Sequence, residues 1–191
     1  GDLKYFNLRN KVEYYIVCLF SYLIPDATIF NSYTSLKNHR KNGYSKKSNF
    51  VIFNGFEFNK KKNTKINKKF LSIGMVARFN YFKNHKLLFQ TLSKINADVN
   101  FRLFLIGKGI NYKNNELMKL IRKFKLNKSI VLIEESKKVF KMLNKLDLHI
   151  LVSNNESFPN VVAEAAYYFS ISISSNVGDV KKIIDKDFIF K

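Results

Sequence analysis

The sequence predicts an α/β fold: a parallel, doubly wound sheet with helices on both faces, preceded by the remainder of a second unit. Three observations predict it. After Lys69, apolar runs of strand length alternate regularly with helical patterns, the order that implies parallel strands joined by right-handed crossovers. Apolar residues make up 46% of the chain, which excludes a disordered protein despite a formal charge of +20. The length, 191 residues, is one full domain plus a remainder.

The elements follow in order. Residues 11–24 (KVEYYIVCLFSYLI) read as a largely apolar helix stopped by Pro25, with Cys18 in its core. Residues 26–31 are a short strand, and 32–42 a polar helix closed by Gly43. Residues 49–53 are another strand, ended by the turn signal Asn54-Gly55. The lysine- and asparagine-rich stretch 56–68 lacks apolar periodicity and reads as a linker. Residues 70–75 form a strand, and Leu87, Leu88, Leu92 and Ile95 line one side of a helix. A strand at 101–106 leads to Gly107-Lys108-Gly109, then to a helix with Leu117, Leu120, Ile121 and Phe124 on one face. A strand at 130–133 precedes the same spacing in Val139, Met142, Leu143 and Leu146. Residues 147–152 are a strand, 160–169 a helix, and 171–174 a fifth strand of the regular region. Gly178 opens a last helix around 180–184.

Charge and cysteine content exclude several classes. Lysine and arginine number 34 against 14 acidic residues, but they are dispersed. Lys, Asn, Ile, Phe and Tyr, all with AT-rich codons, are overused together, so composition alone supplies the charge. No aromatic-interleaved basic repeat or zinc finger accompanies it, and no nucleic acid is expected as a partner. Weak attraction to anionic lipid fits better, at about 1 kcal/mol per basic residue near such a surface. The single cysteine excludes a disulfide framework and a cysteine-based zinc site. His39, His85 and His149 are too scattered for a metal cluster, and His85 and His149 read as packing or surface residues. The longest apolar run, 14–24, is too short to span a bilayer, and no small-residue cleavage site follows it. A soluble, cytoplasmic protein is the expectation.

In an open parallel sheet, ligands bind beyond the carboxyl ends of the strands. Arg78 and Lys83 follow the first regular strand, Gly107, Lys108 and Gly109 the second, Glu134, Glu135 and Ser136 the third. The loop Asn154-Asn155-Glu156-Ser157-Phe158-Pro159-Asn160 follows the fourth. Pro159 suits the first position of a helix, where the following amides of Asn160 and Val161 favour an anion. A forked guanidinium, a compact ammonium and a helix start suit a diphosphate. Glu156 and Glu164 can accept hydrogen bonds from the paired hydroxyls of a ribose and a hexose. Together these groups describe a nucleotide sugar. Singly they read more plainly, as surface charges, a solvated acidic pair and a strand-ending turn; Gly107-Lys108-Gly109 lacks the third glycine of a dinucleotide fingerprint.

The combination Ala77-Arg78, Lys83-Asn84-His85, Gly107-Lys108-Gly109 and Glu156-Ser157-Phe158-Pro159-Asn160-Val161-Val162-Ala163-Glu164-Ala165 resembles glycosyltransferase family 4. The resemblance runs from Asp26 to the C-terminus, and the stretch Glu156 to Glu164 is similar to that family's E-x7-E element. It implies the GT-B fold, two Rossmann-like domains facing across a cleft, with Asn54-Gly55 near the passage between them. Residues 1–53 would then be the terminal elements of an incomplete, acceptor-side domain, 54–68 a linker, and 69–191 the nucleotide-sugar-binding domain, truncated at its C-terminus.

The resemblance implies roles as well. Arg78 and Lys83 would hold the donor diphosphate, Glu156 would meet the donor sugar, and Glu164 the ribose. Ser157, Phe158, Pro159, Asn160 and Val161 would contact sugar and phosphate, with Gly107 and Gly109 in the neighbouring loop. Glu135 and Ser136 would lie near the base. The implied activity is retaining transfer of a hexosyl or N-acetylhexosaminyl group from a UDP- or GDP-linked donor to a glycan or lipid-linked acceptor. The setting would be bacterial surface polysaccharide synthesis, lipopolysaccharide or capsule, with peripheral contact at the cytoplasmic face of the inner membrane. No cofactor or catalytic metal is expected, and the fragment should bind donor without transferring sugar alone. The other class open to it is a non-catalytic nucleotide- or polyanion-binding module. Ala77, Ser157, Lys108, the segment Tyr168–Ile171 and Lys182 depart from the family pattern.

Overall fold

The computed structural model describes residues 7–56, 69–95, 99–134, 142–168 and 170–191. They divide into two compact units. The first holds the described residues of Gly1–Phe56 together with Asn155–Pro159 and Val177–Val180; the second holds those of Glu57–Asn154, Asn160–Asn176 and Lys181–Lys191.

The first unit begins with α1 (Leu8–Phe20), capped by the Asn7 side chain, which accepts from the Asn10 amide. The helix ends at Ser21, four residues before the expected stop at Pro25. The Ser21 hydroxyl donates to the Cys18 carbonyl (2.5 Å) and accepts from the Ser45 amide (2.9 Å), so a tertiary anchor sets the end before proline does. Cys18 is the buried side chain of α1. Strands β1 (Thr28–Phe30) and β2 (Asn49–Val51) pair in parallel, with α2 (Tyr33–Lys41) as the crossover. Ser32 caps α2, and Gly43 follows it in left-handed backbone, as expected. Phe30, His39 and Tyr44 pack ring against ring with centroids 5.3–5.8 Å apart. Asn54-Gly55 forms no turn. Phe53 and Phe56 on either side both reach the Phe158 ring, at 5.2 and 6.5 Å, and these anchors override the local turn preference.

The second unit is a sheet of six parallel strands: β3 (Leu71–Val76), β4 (Phe101–Ile106), β5 (Ile130–Ile133), β6 (Leu148–Leu151), β7 (Ile171–Ser175) and β8 (Ile189–Phe190), in spatial order β5-β4-β3-β6-β7-β8. The sequence reading anticipates five of them. The sixth, β8, is two residues long, too short to show alternation; it is recruited by pairing with Ser174 and Ser175. Helices α3 (His85–Leu92) and α4 (Asn115–Lys123) pack with β3 and β4 in one core. Helix α5 (Asn160–Tyr167) contributes Ala165 to a second core with Leu143, Leu146 and Tyr168. The sheet is therefore covered on both faces, as a Rossmann-like fold requires.

Two helical expectations change. The buried face of α3 is His85, Leu88, Phe89 and Leu92, while Leu87 and Ile95 are exposed. The burial follows the i, i+3, i+4, i+7 spacing from His85, whose ring packs on Phe79 and Phe89. The helix expected after Gly178 is a single 3-10 turn, Val180–Lys182. The chain then makes a second such turn (Lys186–Phe188) and enters β8. At the amino edge of the sheet, Ser72 and Asp147 tie β3 to β6: Asp147 Oδ2 accepts from the Ser72 amide at 2.8 Å, and the two side chains also bond.

Candidate functional site

The chain winds outward from β3 through β4 to β5, then returns to place β6 beside β3. That reversal is a topological switch point, where the loops leaving adjacent strands part and leave a crevice at the carboxyl edge. The loop after β3 carries Arg78 and Lys83, and the loop after β6 begins at Val152.

These two loops are tied together. The Asn154 amide donates to the Phe82 carbonyl at 2.8 Å, and the Asn84 side chain donates to Asn154 Oδ1 at 3.0 Å. Asn84 sits in left-handed backbone (φ 52°), a conformation asparagine tolerates. Lys83 ends a short 3-10 turn (Tyr81–Lys83), whose start is capped by Asn80 Oδ1 accepting from the Lys83 amide. Three asparagines thus shape the lysine's loop. Asn80 has a sequence signal, its position three residues before Lys83. The Asn84–Asn154 pair, 70 residues apart, has none.

Gly107 explains how the next loop fits. Its φ is +150°, and a Cβ there would lie 2.3 Å from the Ala77 carbonyl oxygen and 3.0 Å from the Arg78 amide. Only glycine lets the β4 loop run this close to the backbone bearing Arg78. The Ala77 amide donates to Ile106 O (2.8 Å), and the Phe79 amide to Lys108 O (2.9 Å). Gly107-Lys108-Gly109 is therefore more than a strand-ending turn: it braces the arginine's loop. Arg78 itself is exposed. Gly109 lies beside Phe79. Glu134 follows β5 and accepts from Asn111 (2.7 Å). Glu135 and Ser136 lie outside the described residues.

Glu164 sits in the second turn of α5, half-buried, and burial raises its carboxyl above the ordinary value of 4.5. A carboxylate held this way gains from hydroxyl donors, which restore its ionised form. Pro159 directly precedes the first helical residue, Asn160, and Val161 follows in the first turn. The E-x7-E element is divided: Glu164, Asn160 and Val161 belong to the second unit, while Glu156, Ser157, Phe158 and Pro159 belong to the first. Arg78, Lys83 and Gly107 lie in loops at the carboxyl edge of one sheet, and Glu164 lies one turn into the helix between β6 and β7. In the first unit, Ser157 O accepts from the Asp179 amide at 3.0 Å, and Phe158 stacks on Phe53.

His85 and His149 are buried, as the packing reading expects. Burial lowers both to about 4, with Lys83 a lesser contributor at His85. A cavity of about 360 Å³ opens beside this loop, lined by Asn80, Asn84, His85, Glu116 and neighbours; Arg78 and Lys83 are not in its lining.

A parallel sheet in this strand order, with its switch point between β3 and β6, is a Rossmann-like fold. Residues 56–189 match the family described as "Glycosyl transferases group 1", and the chain belongs to it. No curated protein matches the chain by sequence. Among solved structures, the chain is similar to Anabaena Alr3699/HepE in complex with UDP-glucose: TM-score 0.82 at 17% identity, covering 95% of this chain and 54% of that one. A glycosyltransferase from Rickettsia africae ESF-5 aligns at TM-score 0.70 and 19% identity, covering 95% and 52%. The lipopolysaccharide outer core galactosyltransferase WaaB, in its apo form, aligns at 0.66 and 18%, covering 87% and 46%. The chain spans about half the length of these structures, and at such identities the likeness is one of fold.

Proposed function

We propose that the chain carries the donor-binding part of a retaining, family 4 glycosyltransferase. Its substrate would be a nucleotide sugar, UDP-linked by analogy with HepE, and its acceptor a glycan or lipid-linked saccharide of the bacterial surface, reached at the cytoplasmic face of the inner membrane. The observation that carries the reading is the switch point. There the Asn84–Asn154 bond and the close approach at Gly107 hold the Arg78/Lys83 loop beside the strand that leads into E-x7-E.

The chemistry follows from charge. Breaking the bond from the sugar to the diphosphate leaves negative charge on the departing oxygens. Arg78 offers a planar fork and Lys83 an ammonium to that charge, and groups positioned beforehand need no reorganisation as it develops. Glu164 takes the ribose hydroxyls and fixes the nucleoside end; Glu156 takes the sugar. Retention of the anomeric configuration is part of the proposal, as is transfer of a hexosyl or N-acetylhexosaminyl group.

Calorimetric titration with UDP, GDP, ADP and UDP-glucose tests it. A charge-assisted hydrogen bond contributes about 1.5–3 kcal/mol, so Arg78→Ala should weaken diphosphate binding by about tenfold or more. In a transferring enzyme the same change should lower turnover tenfold to a hundredfold. Equal affinity in wild type and variant removes the assignment. Steeply salt-dependent binding indifferent to Glu164→Ala would point instead to a polyanion-binding module.

A further inference from the structure

We propose that Asp179 is a positioning residue, which sets the backbone of the Glu156-bearing loop by clasping it to the start of α2. Its consequence for sugar binding rests on the donor reading above.

The clasp lies wholly within the first unit. Asp179 is buried, with 7% of its surface exposed. Its Oδ2 accepts from the Tyr33 amide at 2.7 Å; its Oδ1 accepts from the Thr34 amide at 2.9 Å and the Thr34 hydroxyl at 2.6 Å. Tyr33 and Thr34 are the first two residues of α2, and Ser32 already serves the third amide, that of Ser35. The orphan donors of the first turn are therefore shared between a local cap and a carboxylate 145 residues away. No acidic residue stands in the first turn of α2 itself, so Asp179 supplies the negative charge that a helix start favours.

The other end of the residue holds the loop. The Asp179 amide donates to Ser157 O at 3.0 Å. Gly178, just before it, has φ +53°, and a Cβ there would lie 2.3 Å from Ser157 O and 2.9 Å from Glu156 O. The backbone at Glu156 and Ser157 therefore rests directly on the Gly178-Asp179 peptide. Side chain and main chain of one residue fix two segments against each other. A plain helix cap needs only the first half: a serine or aspartate next to α2 would supply it. The second half, made by the main chain of the same residue, ties the setting of Glu156 to the clasp.

If Glu156 meets the donor sugar while Arg78 and Lys83 meet the diphosphate, loosening the clasp should affect the sugar and spare the nucleotide. The test compares wild type, Asp179→Ala, Asp179→Asn and Thr34→Val by amide hydrogen exchange and by titration with UDP and UDP-glucose. Asp179→Ala should lose protection at Tyr33 and Thr34 and raise exchange across 155–159, leaving β3 and β4 unchanged. Its UDP-glucose affinity should fall about tenfold, with UDP affinity held within twofold. Asp179→Asn, which keeps one oxygen acceptor, and Thr34→Val, which removes one donor, should fall between. Unchanged exchange at 155–159 in Asp179→Ala overturns the clasp. Equal losses for UDP and UDP-glucose, or none, overturn the positioning role while leaving the donor reading intact. Wild-type protein that binds neither ligand overturns the donor reading and the positioning role with it. If Asp179→Ala does not fold, the graded pair Asp179→Asn and Thr34→Val decides on the same readouts.

Discussion

His149 stands in the middle of β6, fully buried, with Nδ1 3.3 Å from the Ser172 hydroxyl on the paired strand. Burial lowers both His149 and His85 from 6.5 to about 4. Below pH 6.5 the unfolded chain binds protons that the folded chain refuses, so stability is full above that pH and is lost on acidification toward 4. The slope is about 1.4 kcal/mol per pH unit for each histidine. Urea unfolding at pH 7 and pH 5 should show it, and His149→Gln should flatten the slope. Glu164 works with the opposite sign. Its raised carboxyl keeps its proton just above 4.5, where the unfolded chain has lost it, so that contribution falls as pH rises through the window. Hydroxyl donors favour the ionised form. UDP affinity should therefore weaken as pH drops into the same window, and Glu164→Gln should remove the part of that dependence that protonation of the UDP phosphate, at about pH 6, does not supply, read by titrating wild type and variant side by side down to pH 4.5.

Among the elements, the glycine-bearing loop after β4 and the Ser72–Asp147 tie lie at opposite edges of one sheet, and their loss should read differently. Gly107→Ala places a methyl 2.3 Å from the Ala77 carbonyl in a backbone conformation suited to glycine. It should cost about 1–3 kcal/mol of stability and weaken UDP binding, because the strain falls on the backbone carrying Arg78. Asp147→Ala removes the carboxylate that accepts from the Ser72 amide at the far edge. It should cost a similar amount, about 1–3 kcal/mol, and leave UDP affinity within twofold. Urea midpoints paired with titrations separate the two. If both variants alter binding equally, the carboxyl edge is not the ligand edge.

For the molecule as a whole, a ligand that binds only the folded state adds RT ln(1 + [L]/Kd), about 2.7 kcal/mol at a hundredfold excess over Kd. For a domain of 150–250 residues that is a rise of roughly 5–10 °C in melting temperature. UDP should produce it in wild type and much less in Glu164→Ala. No helix among the described residues is long and apolar enough to cross a membrane. The net charge of +20 suits weak attraction to anionic lipid, which vesicle sedimentation at two salt concentrations would measure.

The order of strands and helices, the parallel sheet and the loops that leave its carboxyl edge were legible in the chain. Burial periodicity is local, and apolar runs of four to six residues announce a strand wherever they fall. Even so, β8 carries no sequence signal, because two residues have no period, and the periodicity puts Leu87 and Ile95 on the inner face of α3 in place of His85 and Phe89, because a histidine counts as polar until Phe79 and Phe89 enclose it. Tertiary structure alone decided the end of α1 at Ser21, the extended path through Asn54-Gly55, the Asn84–Asn154 tie and the Asp179 clasp. Each rests on a contact between segments far apart in sequence, 24 residues for Ser21–Ser45 and 145 for Thr34–Asp179. Such pairs exist only once the sheet has brought their partners together, and no local pattern encodes them.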